Sequence, residues 1–167
     1  MTKYFILSLL FVCTVFFGQN VFTATPTRLL PENNIVEFSG KSSDEIYKAL
    51  KSWTAKTYNN PDFVLKADVP NEYIRINGLW NIVSRGPLGR SAFGLTYTLS
   101  LDVKDGKLRY NIDNLRGVDN FNYANCFKGN GEKRQTKEVT NYLNDIEIYT
   151  EQFISQMVKS INEKENW

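Results

Sequence analysis

The chain has 167 residues, 42% of them hydrophobic and 14% aromatic, with a formal net charge of +2. This composition supports a packed globular domain and gives no electrostatic case for a polyanionic partner. There is no histidine, which excludes Ser-His-Asp and Cys-His catalysis and histidine metal sites.

Residues 1–18 read as a secretory signal peptide. Lys3 supplies the positive start, an uncharged apolar run extends from Tyr4 to Phe17, and Gly18 is a small residue where a peptidase cuts. The run is too short to span a bilayer comfortably. The sequence therefore predicts an exported protein, periplasmic or extracellular, with no transmembrane span in its mature form. The cysteines are Cys13 and Cys126. Cleavage removes Cys13, so the mature chain has neither an intrachain disulfide nor a thiolate zinc site. Leu10-Phe11-Val12-Cys13 has the leucine spacing of a lipoprotein anchor. However, Val12 replaces the small residue expected there, and the apolar run continues past Cys13, so free export is the preferred reading. Export also separates the chain from nucleic acids and from cytosolic cofactors, and neither is expected as a partner.

Residues 19–33 mix Thr, Pro and Asn without periodicity and read as a flexible N-terminal tail. Residues 35–38 are a short strand ended by Ser39-Gly40. Over 42–58 the spacing predicts a helix, with Ile46, Ala49, Leu50, Trp53 and Thr57 on one face. Ser42 and Glu45 have capping-box spacing at its start, and Asn59-Asn60-Pro61 stops it. Residues 63–67 form a strand. In 73–83, Ile74, Ile76, Trp80 and Ile82 share one face, and Arg75, Asn77 and Asn81 lie opposite. Gly78 interrupts the apolar row, which marks a bulge or a close backbone contact.

Residues 93–115 form the best-specified element, a hairpin. Phe93, Leu95, Tyr97, Leu99, Leu101 and Val103 alternate with polar or small residues. Asp105-Gly106 is a preferred two-residue turn. It pairs Lys104 with Lys107, and so sets Val103 opposite Leu108, Leu101 opposite Tyr110 and Leu99 opposite Ile112. Residues 118–135 read as a long loop. Residues 136–163 form a long helix, with its stripe at Val139, Tyr142, Leu143, Ile146, Tyr149, Phe153, Met157 and Ile161.

The order strand, helix, four strands, helix predicts one α+β domain over 34–163. It would be a mainly antiparallel sheet of about five strands with both helices on its apolar face. The other face would carry Arg75, Asn77, Thr96, Thr98, Ser100, Arg109, Asn111 and Asp113.

Three stretches carry a resemblance. They are Ser43-Asp44-Glu45-Ile46-Tyr47-Lys48-Ala49-Leu50-Lys51-Ser52-Trp53, Gly86-Pro87-Leu88-Gly89, and the run from Thr96 through Leu101-Asp102-Val103-Lys104-Asp105-Gly106-Lys107 to Tyr110. Together with the element order, they resemble a bacterial family of exported proteins of unknown function with a TATA-binding-protein-like fold. The likeness covers roughly 35–162. It implies export and an α+β fold and brings no catalytic or binding residues. The fold's name alone is no argument for DNA binding.

Several groups are candidates for chemistry. Ser84-Arg85-Gly86-Pro87-Leu88-Gly89-Arg90-Ser91 sets two arginines around glycines, but it precedes a strand and reads as a hairpin connection. Cys126 lacks an activating histidine and reads as an inert thiol. Asp102 and Asp113 share the wet face of the hairpin, and Asp105 belongs to its turn. Phe121, Tyr123 and Phe127 either anchor a ligand from an exposed loop or fold back over the sheet edge. No catalytic residue, metal site or cofactor is assigned. The sequence is read as a non-enzymatic envelope binding module whose partner is a protein, peptide or glycan. Arg75, Thr98, Arg109, Phe121, Tyr123 and Phe127 are its candidate contacts. The alternative is a hydrolase using carboxylates or Cys126 in an unfamiliar arrangement.

Overall fold

The computed structural model describes residues 22–86, 89–118 and 120–163. The expected signal peptide lies outside them. The elements in chain order are β1 (Phe22–Ala24), β2 (Arg28–Pro31), β3 (Ile35–Glu37), α1 (Ser43–Thr57), α2 (Pro61–Val64), β4 (Leu65–Val69), β5 (Tyr73–Gly86), β6 (Gly89–Lys104), β7 (Lys107–Val118), a 3-10 turn (Tyr123–Cys126) and α3 (Lys137–Asn162). They form one seven-stranded antiparallel sheet in the order β1-β2-β7-β6-β5-β4, with β3 also paired to β7.

The helices start where local chemistry satisfies their open N–H groups. Ser42 caps α1 and accepts from the Glu45 amide at 3.2 Å, while the Glu45 carboxylate accepts from the Ser42 amide at 2.8 Å. Thr136 caps α3 in the same way through the Val139 amide. Both helices pack on one face of the sheet. Ile46, Leu50 and Trp53 of α1 join Ile146, Phe153 and Met157 of α3 in a core completed by Ile74, Ile76, Trp80, Leu95, Leu99 and Leu101.

The hairpin register is the one the turn dictates: Lys104 faces Lys107, Val103 faces Leu108, Leu101 faces Tyr110 and Leu99 faces Ile112. Gly106 takes the positive φ of 69° that the turn needs. The Gly78 signal is a close approach. A Cβ there would lie 2.4 Å from the Tyr97 ring, which stacks on Trp80 with centroids 4.0 Å apart.

Three expectations are corrected. The tail drawn over 19–33 contains a hairpin, β1–β2, closed by Thr25 and Arg28. Phe22, Ala24 and Leu29 are buried, and β2 pairs with β7 through Arg28–Asp113 and Leu29–Ile112. Tertiary burial gives these short strands an ordered place that their mixed sequence does not announce. The strand drawn over 63–67 begins as the turn α2, because Asn60 accepts from the Phe63 amide at 3.2 Å and Pro61 is preset for a first helical position. Its strand runs instead over β4. Finally, the loop over 118–135 contains the 3-10 turn and a Phe127–Lys133 bridge.

Candidate functional site

Because α1 and α3 cover one face, the other face of the central strands is open. Alternation along β5, β6 and β7 sends Arg75, Asn77, Asn81, Thr96, Thr98, Ser100, Asp102, Arg109, Asn111 and Asp113 to it. Strand pairing brings these residues together: Arg75 faces Ser100, Asn77 faces Thr98, and Asp102 faces Arg109. Thr98 Oγ1 donates to Asn77 Oδ1 at 3.1 Å and accepts from Asn114 Nδ2 at 3.3 Å. Arg109 Nε lies 3.1 Å from Asp102, and Arg28 Nε lies 3.4 Å from Asp113. At one rim, a cleft of about 500 Å³ separates the β2–β3 connection from β7, lined by Arg28, Glu32, Asn33, Asn34, Asn111 and Asp113. Asn34 Nδ2 spans it to Asn111 Oδ1 at 3.1 Å. The concavity is therefore rich in amides and paired charges, groups that satisfy hydroxyls and peptide amides.

The face bends at a β7 bulge. Thr96 faces Arg116 and Thr98 faces Asp113, so Asn114 and Leu115 together oppose Tyr97. Asn114 takes a positive φ of 55°, a conformation that asparagine tolerates better than most residues.

The aromatic candidates separate from this face. Tyr123 is 1% exposed and Phe127 is 4% exposed, with ring centroids 5.4 Å apart. Tyr123 Oη donates to the Thr25 carbonyl at 2.7 Å and so ties the loop to the β1–β2 turn. Burial, joined by the nearby Cys126 and Glu147, holds its hydroxyl well above the usual tyrosine range. Phe121 is half-buried, its ring 4.2 Å from Phe93 and 5.3 Å from Tyr142. Tyr123 and Phe127 are thus core residues rather than ligand anchors. Two aromatic rings with an apolar surface in reach gain more from burial than from water. Arg75, Thr98 and Arg109 do share the open face.

Cys126 is buried, and burial, with Glu138 adding to it, pushes the thiol up from 9.0 to about 11. A thiol held protonated and covered is a poor nucleophile. Asp102 and Asp113 do not form a facing pair. Asp113 lies opposite Thr98, four residues along β6 from Asp102, a separation of about 13 Å, beyond the spacing that glycoside hydrolysis uses. Among the described residues, no cluster of three or more His, Cys, Asp or Glu is placed to hold a metal, and no helix is long and apolar enough to cross a membrane.

Two residues of the open face escape the sequence reading: Leu79, 51% exposed, and Val83, 56% exposed. They share the parity of Arg75 and Asn77, so period-two alternation was a sufficient signal. The cleft residues Arg28, Glu32 and Asn33 carried no such signal, because they reach β7 only through the β2–β7 pairing.

Residues 33–117 match the family described as "Domain of unknown function (DUF4468) with TBP-like fold". Two crystal structures are similar in fold. One is a TBP-like protein from Parabacteroides distasonis, with 14% identity, a TM-score of 0.63, and coverage of 78% of this chain and 91% of that one. The other is a DUF4468 family protein from Bacteroides ovatus, with 11% identity, a TM-score of 0.62, and coverage of 80% and 86%. No curated protein matches.

Proposed function

The chain belongs to the DUF4468 family of domains of unknown function with a TBP-like fold, and from that premise we propose that it is an exported, non-enzymatic binding module of the bacterial envelope. The single observation that carries this reading is the open sheet face, which the helical layer leaves free and which ends in the amide-lined cleft. A sheet face built on two long paired strands presents side chains at regular spacing, which suits an extended partner. The leading occupant is a peptide or glycan of the envelope. Arg28 and Arg109 each face an aspartate, while Arg75 faces Ser100 and Arg116 faces Thr96, so the face offers hydrogen bonds together with a modest excess of positive charge, which suits a partner rich in acceptor oxygens. Export rests on the reading of residues 1–18.

Capture from envelope fractions tests the assignment. Arg109→Ala and Thr98→Ala are expected to weaken capture with unchanged far-UV spectra, whereas Glu151→Ala on α3 is expected to leave it intact. Capture that survives the face variants and fails with Glu151→Ala would move the interface to the helical layer. N-terminal sequencing of the exported form tests processing: a start near residue 19 supports it, and an intact Met1 refutes it.

A further inference from the structure

The outer edge of β5 lacks a partner strand over most of its length, although the α2 turn that leads into β4 also touches β5. β4 covers only Tyr73, Arg75 and the two isoleucines, ending at the Leu65–Ile76 pair, whereas β6 accompanies β5 from Tyr73 to Gly86. Beyond Ile76, no described strand pairs with that edge. α3 packs above the β5–β6 pair, with Phe153 against both Trp80 and Tyr97. Residues 77–84, Asn-Gly-Leu-Trp-Asn-Ile-Val-Ser, contain no charge and no proline. Edge strands are ordinarily blunted by such residues, because their free N–H and C=O groups recruit another strand.

The same segment is self-complementary. A two-fold axis through Asn81 sets Leu79 against Val83 of a second copy, Trp80 against Ile82, and Gly78 against Ser84. Every pair joins residues of equal parity, so the helix-covered side meets its like and the open side meets its like. The two exposed apolar side chains of this strand, Leu79 and Val83, then cover each other across the junction at cross-strand contact distance. A register centred on Trp80 would leave Val83 opposite Asn77 and lose that contact.

We propose that β5 pairs antiparallel with β5 of a second copy about Asn81, giving a two-fold dimer with one continuous sheet. The interface is a strand pair with two apolar contacts, smaller than that of an obligate dimer, so association is weak, on the order of micromolar. The centre of the open face, around Thr98 and Arg109, stays free. Self-association is therefore read independently of ligand capture.

Sedimentation velocity of the purified protein over a concentration series is expected to show a monomer–dimer equilibrium. The Leu79→Lys/Val83→Lys double variant replaces side chains already exposed in the monomer. It should raise the dissociation constant at least about tenfold with an unchanged melting temperature. Asn81→Cys should give a disulfide-linked dimer under oxidising conditions, and Thr98→Cys should not. In a chain beginning at residue 19, the remaining native cysteine is Cys126, whose burial leaves that test clean. A monomer up to about 1 mM, where a millimolar constant would still show, overturns the proposal. Open-ended aggregates also overturn it, as does a dimer that survives the double lysine change without cross-linking at position 81.

Discussion

Cys126 sits in the 3-10 turn beneath β7, 2% exposed, and its thiol is held up near 11 chiefly by burial. Thiol reagents attack the thiolate. Labelling of the native protein near neutral pH is therefore expected to be slow and to accelerate sharply in denaturant. Equal rates in both conditions would show that the 118–135 loop opens freely. Cys126→Ala should leave ligand capture unchanged. Its neighbour Tyr123 shows how a residue's role depends on contact rather than type. On an exposed loop it would be an anchor, but here its hydroxyl binds the Thr25 carbonyl and its ring packs on Phe127.

At the scale of elements, α1 is capped from two directions. Its own Ser42–Glu45 box is joined by Asp105 of the β6–β7 turn, whose carboxylate accepts the Ser43 amide at 2.7 Å. Backbone hydrogen bonds from Ser43 and Ser42 hold the Asp105 and Glu45 carboxyls below their ordinary values of 3.8 and 4.5. Depressed folded values mean that the contribution is full above the ordinary carboxylate range and is lost as pH falls through the folded values. Asp105→Asn keeps an Asn-Gly turn. It should be less stable than wild type at neutral pH, with the gap closing in acid melts. A gap that is constant with pH would show that the charge plays no part. The hairpin carries a second test. Leu101 is fully buried and Thr98 lies on the open face. Leu101→Ala should cost about 2–5 kcal/mol and Thr98→Ala far less, read from denaturant midpoints at a common slope. These elements were legible because their determinants are local. A cap spans four residues, and a two-residue turn sets every pair beyond it. The α2–β4 boundary was not legible, because Asn60-Pro61 serves equally to stop one helix and to start a turn.

At the scale of the whole molecule, the N-terminal segment belongs to the core. Phe22, Ala24 and Leu29 are buried, the Phe22 ring centroid lies 6.4 Å from that of Tyr110, and Glu147 of α3 accepts the Ala24 amide at 3.1 Å. A chain beginning at residue 32 is expected to melt well below one beginning at residue 19. Phe22 and Leu29 alone each remove about 1.5–3 kcal/mol of burial. Equal melting temperatures would return the segment to the status of a tail.

The amino-acid sequence by itself determined the α+β class, the helical layer on one face, both long helices with the cap of the first, and the β6–β7 register from the turn to the Leu99–Ile112 pair. Each follows from periodicity or from contacts a few residues apart, where chain order alone decides which groups meet. Only the tertiary structure decided that residues 22–31 join the sheet, that Tyr123 and Phe127 turn inward, and that Arg28 and Asn34 meet Asp113 and Asn111 across a cleft. Those contacts join residues 77 to 98 positions apart along the chain. At that separation the pairing is selected by the apolar surface left uncovered once the rest of the fold has formed, and no local pattern encodes it.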